Sequence, residues 1–481
     1  MNTTDDVPSA VTFPLPFRVL FMVGMGIIGW ATNLHGLQLQ SIDAVSALEL
    51  RPSPYLPLSS PSPSSHSLPV YKPVYRLFTW YTLWCLLAWI LYRVATHSNI
   101  YLVDIFRYIP AVCSLGVLTA LICPFDIFQK RARDAFLSAL QRCLFPATDQ
   151  PVHFADVVFA DVLTSFAKVL GDVWLSLCML LPGGSLLTLP SQENWTQWIL
   201  PTIMSIPYFI RLRQCLIEHR SPLNSSRRPL FNAVKYATAF PVIFLSAAQR
   251  IAVKELVEEK GAEVTRQAWH GEHPLFRLWL LAAAVNSLYS FWWDVTNDWG
   301  LDLLRAKSLQ SRGGPPLPLV LPSLHSKAAS LKESPHPHLP FESLTENTAA
   351  NTNGHPSSSS PTAFRPRYHR PPAYPYGLRP ALLYPLPVYP LIVFFNLVLR
   401  LTWSIKLSSH LHSYTEGSAL IFWLELAEVL RRWMWVFVRV EWEIVKKRSE
   451  GAGGGVGGGV EIELAPPQVG YRDDDGGYAV L

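Results

Sequence analysis

Stretches of apolar sequence long enough to cross a bilayer recur along the chain, at about 17–38, 73–96, 100–124, 154–181, 196–217, 231–251, 274–295, 380–407 and 418–442. A helix rising about 1.5 Å per residue needs roughly 20 such residues to span ~30 Å of hydrocarbon. No water reaches the backbone in that layer, so each run must close its hydrogen bonds internally, as a helix. The expected fold is therefore all-α: a polytopic membrane helix bundle of about nine transmembrane helices. Composition agrees, because 49% of the 481 residues are hydrophobic and only 16% are charged. A soluble chain carries about a quarter charged residues. The apolar residues also fall in blocks and not in periodic stripes.

Loop charge orients the bundle. Basic segments at 129–142 (QKRARDAFLSALQR), 211–228 and 446–448 all belong in the cytosol by the positive-inside rule. With nine spans this puts the N-terminus in the lumen and the C-terminus in the cytosol. Two sequons, Asn2-Thr3-Thr4 and Asn194-Trp195-Thr196, then fall on the lumenal side, as does the acid-rich loop 254–264. The basic residues are thus topology signals, and no nucleic-acid footprint is expected. The start MNTTDDVPSA lacks the basic n-region of a signal peptide. The six cysteines form no CxxC pair, which argues against a disulfide framework or a zinc site. Four segments follow: a short lumenal N-terminus (1–16), N-terminal helices with a basic cytosolic loop (17–150), a second transmembrane region (151–448), and a Gly-rich linker with an acidic tail (449–481). Within the third, the Pro- and Ser-rich stretch 306–376 is expected to be a long disordered cytosolic loop, and the tail is expected to be disordered too.

Ionisable residues inside the runs are the functional candidates, since an arginine at a helix centre costs about 2.5–3.5 kcal/mol. The fourth run places Asp161, Ser165, Lys168 and Asp172 on one helical face. Lys168 and Asp172 could simply neutralise each other, whereas Asp161 suits a polar pathway. The sixth run opens with Lys235 and Tyr236; a lysine there could also snorkel to headgroups. Asp294 and Asp298 lie one turn apart among Trp292, Trp293 and Trp299. They could hold a cation, bind basic partners or pair with arginines, and without nearby His or Cys a metal site is disfavoured. The last two runs supply Arg400, followed a turn later by Trp403, and Glu425, Glu428, Arg431 and Arg432. Adjacent arginines diverge by about 100° and cannot share one partner. Guanidinium forks suit tetrahedral oxyanions, so three arginines and a lysine, partly balanced by acids, read as an anion pathway. The alternative is a static ion-pair network holding the bundle together. No GxxxxGK[ST], HExxH or GxSxG motif occurs, so an enzyme is not expected.

The phrases FADVVFADVLTS, PYFIRLRQCLIEHR, FNAVKYATAFP, YSFWWDVTNDWGL, LVLRLTWSI and AEVLRRWMWVFVRVE resemble, in this order, the EXS domain. That domain is shared by the Syg-type proteins, the xenotropic retrovirus receptor and the ER-retention-defective proteins, and the resemblance covers most of 17–448 outside 306–376. It implies an all-helical protein that moves inorganic phosphate down its gradient, with no cofactor. Carried over by motif, the implied phosphate-pathway residues are Asp161, Arg211, Lys235, Tyr236, Asp294, Asp298, Arg400, Trp403, Glu428, Arg431 and Arg432. The family's asparagine three residues after the first acid is Thr164 here, whose hydroxyl can still donate a hydrogen bond.

The residues before the first run leave no room for the SPX sensor of the cell-surface exporters. The phrase GMGIIGWATNLHGLQL resembles the family's second helix, which implies that the first is missing and fits an odd number of spans. A short, SPX-less chain resembles the ER-retention-defective branch. That branch implies a Golgi membrane protein, extending to the ER membrane, that returns phosphate released by glycosylation to the cytosol. The implied partners are inorganic phosphate, the lipid bilayer, Golgi glycosyltransferases and vesicle coat proteins, and a homodimer is compatible with the resemblance. The rival expectation is a sorting adaptor for glycosyltransferases and ER residents without transport activity.

Overall fold

The computed structural model describes residues 9–50, 69–146, 152–188, 190, 194–222, 224, 226–260, 274–304, 378–379, 382–408 and 417–453. The chain divides into two compact units, 1–305 with 381–481, and 306–380. Only 378–379 of the second unit are described, so the expected loop 306–376 lies outside the described residues, as does the tail from 454 onward. Everything below concerns the first unit.

Every apolar run found in the sequence forms helix, and no strand occurs among the described residues. In chain order the principal helices are α1 (Leu15–Leu39), α2 (Tyr71–Thr96), α3 (Tyr108–Ile122), α4 (Lys130–Leu144), α5 (Phe154–Ser165) and α6 (Ala167–Leu180). They are followed by α7 (Ile199–Arg220), α8 (Arg228–Ala237), α9 (Ala239–Lys260), α10 (Pro274–Trp293), α11 (Val388–Ser408) and α12 (Gly417–Gly453). By length and apolarity, four stretches can cross a membrane: α1, α2, Ile100–Ile122, and Arg228–Ala252 across α8 and α9. The bent pair α5–α6 makes a fifth. Of the helices outside this measure, α7, α10, α11 and α12 carry polar or charged side chains that they bury in the bundle, among them Arg211, Asn286, Asn396 and Arg431.

The breaks have local causes. Between α8 and α9, Pro241 can neither donate to the ladder nor tolerate the carbonyl four residues earlier, so the helix resets at Thr238. Between α5 and α6 no proline is present. There the Thr164 hydroxyl donates to the Asp161 carbonyl at 2.7 Å and the Phe166 amide to the Leu163 carbonyl at 3.0 Å. This tightened turn bends the span by 61°. The one-face reading of Asp161, Ser165, Lys168 and Asp172 therefore fails for a straight helix: the bend sends the first two and the last two to different partners. The basic stretch 130–144, expected to be a loop, is the amphipathic helix α4. It is docked by Arg142, which grips Asp156 with a bidentate pair at 2.7 and 2.6 Å. Its Arg133 is buried and caps the end of α3, donating to the carbonyls of Leu121, Cys123, Phe125 and Ile127 among others.

Packing centres on α6 and α7. Leu175, Leu200, Met204, Val242, Trp279 and Ala283 join α6, α7, α9 and α10, and Val19, Met22, Val169 and Val429 join α1, α6 and α12. In contrast, α2 and α3 turn Leu83, Trp84, Leu87, Leu91, Leu115 and Leu118 outward, as lipid-facing helices do. Beyond α10, residues 294–298 continue as a π-turn, closed by the Trp299 amide on the Asp294 carbonyl at 2.9 Å. Gly300 ends it with a left-handed φ of +63°, and a Cβ there would lie 2.5 Å from the Trp442 ring. Gly300→Ala should therefore cost more than about 1 kcal/mol. The expected readout is a lower thermal midpoint of the detergent-purified protein, and an unchanged midpoint would contradict this account of the turn.

Candidate anion-binding site

The backbone irregularities converge on one level of the bundle. Thr164 and Ser165 precede the α5–α6 break, and Lys235 and Tyr236 precede the α8–α9 break. Pro207 inside α7 precedes Tyr208, and Asp294 opens the π-turn. Helices depart from regularity where they line a polar interior, because freed backbone groups and redirected side chains can be satisfied there.

The charges meet at this level in a chain of buried pairs. Asp161 accepts from Arg211 Nε at 3.0 Å and from the Tyr236 hydroxyl at 2.5 Å. Lys235 bridges Asp294 at 3.0 Å and Asp298 at 3.1 Å. The i→i+5 register of the π-turn brings residues four apart nearly into eclipse, so both carboxylates can reach one ammonium. The second oxygen of Asp294 takes Arg400 Nη2 at 2.6 Å and Nε at 3.1 Å, with Asn396 at 3.3 Å and Arg431 Nη1 at 3.7 Å. Glu428 holds Arg431 in a fork, with Nε to Oε2 at 2.9 Å and Nη2 to Oε1 at 2.6 Å. It also accepts from Ser165 at 2.9 Å.

Arg432 differs from its neighbour. Its partners are hydroxyls, Ser165 at 3.0 Å and Thr164 at 3.1 Å, and its guanidinium lies 4.7 Å over the Trp435 ring. Its Nη1 is buried without a hydrogen-bond partner. Among the described residues, no carboxylate lies within ion-pair distance of Arg432. Lys235, Arg400, Arg431 and Arg432 surround a small polar cavity, and among the described residues Glu428 is the one acid in its wall. Tyr208, Asn286, Ser287 and Ser290 supply neutral polar groups on the remaining sides. The whole cluster sets five cations (with Arg211) against four carboxylates (with Asp161, Asp294 and Asp298), leaving one positive charge in excess. Such a wall attracts an anion and offers it guanidinium forks.

The EXS family matches residues 13–445, nearly the whole chain. The chain belongs to the EXS family. Among its relatives, Protein ERD1 homolog 1 of Schizosaccharomyces pombe is 31% identical over 301 residues, covering 61% of this chain and 70% of the relative. Protein ERD1 of Kluyveromyces lactis is 24% identical over 462 residues, 94% of this chain and 99% of the relative. Human Solute carrier family 53 member 1 is 29% identical over 192 residues, 38% of this chain and 26% of that longer protein. Within the EXS family the chain falls in the ER-retention-defective branch, and it aligns almost end to end with the Kluyveromyces lactis member.

The residues that the EXS resemblance singles out come together in this cluster, except that Trp403 lies in α11 with its side chain outside the described residues. Asp294 and Asp298 pair with Lys235, and Lys235 is buried and does not snorkel. Lys168 and Asp172 are paired with each other, and Glu425 lies 3.9 Å from the lysine. The Thr164 proton is committed to the Asp161 carbonyl, so Thr164 orients Arg432 as an acceptor. Sequence reasoning missed Tyr208, Asn286, Ser287, Ser290 and Asn396. The four-residue spacing of Asn286, Ser290 and Asp294 on α10, and of Asn396 and Arg400 on α11, was the available signal.

Asp294→Asn leaves Lys235 and Arg400 short of a buried counter-charge and should cost about 3–5 kcal/mol of stability. Arg400→Gln in the same chain should recover part of that loss. A double-mutant cycle by denaturant unfolding reads the coupling, and strict additivity would contradict a shared carboxylate.

Proposed function

We propose that this EXS-family protein carries inorganic phosphate across the Golgi membrane from lumen to cytosol, without energy coupling. It thereby recycles the phosphate released by glycosylation and supports retention of ER residents and recycling of glycosyltransferases. The observation that carries this reading is the buried cavity walled by four cations, one of which, Arg432, has only hydroxyl partners and an unmet donor. Solute carrier family 53 member 1 supports the transport assignment, the ERD1 proteins support the branch, and compartment and direction rest on that branch.

The geometry suits passage of a tetrahedral oxyanion. Phosphate entering the cavity meets the free Nη1 of Arg432 and the cavity-lining Arg400 and Lys235, whose charges are already partly met by acids behind them. Partial compensation keeps the site stable when empty and keeps the anion from binding too tightly to leave. In this reading α7, α10, α11 and α12 also cross the bilayer, giving nine spans with a lumenal N-terminus and a cytosolic C-terminus. The inward charges of these helices are tolerable because they face the cavity and each other. The protein is a transporter and not an enzyme.

Purified protein in liposomes should release entrapped phosphate. Arg432→Ala should slow release by at least about tenfold, the scale for losing a buried charged contact. Arg431→Ala with Arg432→Ala should abolish it, while deletion of 306–376 should leave it nearly intact. Wild-type flux in the double variant would remove Arg431 and Arg432 from the pathway.

A further inference from the structure

Glu428, which the EXS resemblance places in the pathway, stands in the cavity wall itself. An anion site has no electrostatic use for a carboxylate at its surface, and the other three acids of the cluster lie behind their cations. The hydrogen-bond inventory shows what remains of it. A carboxylate accepts along roughly four lone-pair directions. Oε1 takes two donors, Arg431 Nη2 and Ser165 Oγ, and Oε2 takes one, Arg431 Nε. One acceptor direction on Oε2 is left, on a residue that lines the cavity. Clasped by a guanidinium fork, this carboxylate accepts hydrogen bonds and donates none.

Two of the neighbouring neutral groups are free to adapt. The hydroxyls of Tyr208 and Ser290 also line the cavity, and a hydroxyl rotates to donate or accept as its partner requires. They serve any oxyanion equally. Thr164, Ser287 and Tyr236 spend their protons on Asp161 and the Arg400 carbonyl, and so face the cavity as neutral acceptors. Glu428 is, among the described residues, the charged acceptor of this wall and makes the stronger demand that the ligand beside it bring a proton.

We propose that Glu428 makes the site selective for protonated oxyanions, accepting a hydrogen bond from the P–OH of phosphate and excluding fully deprotonated tetrahedral dianions such as sulfate. This rests on the transport reading above and adds its specificity. At neutral pH phosphate and arsenate keep a hydroxyl, whereas sulfate and monofluorophosphate have none at the same charge and nearly the same shape. For those two, an oxygen or fluorine faces the Glu428 oxygen with no proton between them. A buried acceptor left unpaired against a like-charged atom disfavours the complex. Sites that require a hydrogen bond from their ligand reject analogues that cannot make it far more strongly than size selection does.

The test uses the full-length protein in liposomes and measures flux of phosphate, arsenate, sulfate and monofluorophosphate, with binding of the same four anions to the detergent-purified protein. Wild type should carry and bind phosphate and arsenate at least about 100-fold better than sulfate and monofluorophosphate. Glu428→Gln, which removes the charge and supplies a donor, should bring the four anions within about tenfold of one another. Comparable wild-type handling of phosphate and sulfate would overturn the selectivity role while leaving phosphate transport standing. Discrimination that persists in Glu428→Gln would overturn the assignment to Glu428. Absence of both phosphate flux and phosphate binding in the wild type would overturn the transport reading and this inference with it. The wild-type series needs no variant, so a folding defect in Glu428→Gln does not remove the test.

Discussion

The bundle is organised around the carboxylate of Asp294. One of its oxygens accepts from Lys235 of α8, and the other from Arg400 and Asn396 of α11, with Arg431 of α12 just beyond. A single buried anion thus sets the relative positions of four helices. It can do so because the π-turn at the end of α10 presents Asp294 and Asp298 together to Lys235, leaving the second Asp294 oxygen free to face α11. With Arg400 and Lys235 compensated from behind, Glu428 need serve only Arg431. Arg432, one residue later and about 100° around the helix, is then left to hydroxyls and the Trp435 face. The cation with no acid of its own is a consequence of how the other pairs are satisfied.

The two alternatives that charge alone left open, pathway or static network, are compatible, because the pairs that join the helices also border the cavity. A cavity of bare guanidiniums would be unstable in a low-dielectric bundle, and a fully neutral network would give an anion no reason to enter. The pairs bring the excess down to one positive charge over the cluster, and the distribution matters more than the total. Three of the acids lie behind the cavity wall, so the surface a ligand meets is cationic although the cluster is nearly neutral. The irregular turns sit at the same depth because regular helices direct side chains along the fixed rows of their faces. Converging groups from six helices on one cavity needs a tightened turn in one, a proline reset in another and a π-turn in a third.

How much of this could be read from the sequence follows from which interactions are local. The apolar runs, the basic stretches and the intramembrane charges are properties of contiguous residues, and the helices appear where the runs predict them. The amphipathic character of 130–144 is equally local but is masked by its charge: Arg133 reads as a loop cation in the sequence and is a buried cap on α3. The bend after Ser165 has no proline to announce it, and its cause, a threonine bonding back to Asp161, depends on Ser165 and Thr164 also serving Glu428 and Arg432 across more than 260 residues of chain. The pairings themselves are of this long-range kind. That Arg431 and Arg432 must differ was legible from their adjacency, but that Glu428 would hold Arg431 depends on rotamers and neighbours that no spacing encodes.

The bend also explains how a single helix, α12, can face two charge clusters. Glu425 and Glu428 are three residues apart and sit opposite Lys168 and Ser165, also three apart, on the other side of the α5–α6 break. An unbroken helix would place Ser165 and Lys168 on one continuous stripe facing both acids. With the 61° change of direction, Lys168 turns to Asp172 and the Glu425 side, while Ser165 stays with Glu428 and Arg432. The lysine is thereby kept out of the anion cavity, whose wall is then built from three arginines and Lys235. The absence of a straight fourth span is what separates a self-neutralising ion pair from the site, and the hydroxyls at the bend hold Arg432, the arginine of the cavity wall that has no acid of its own among the described residues.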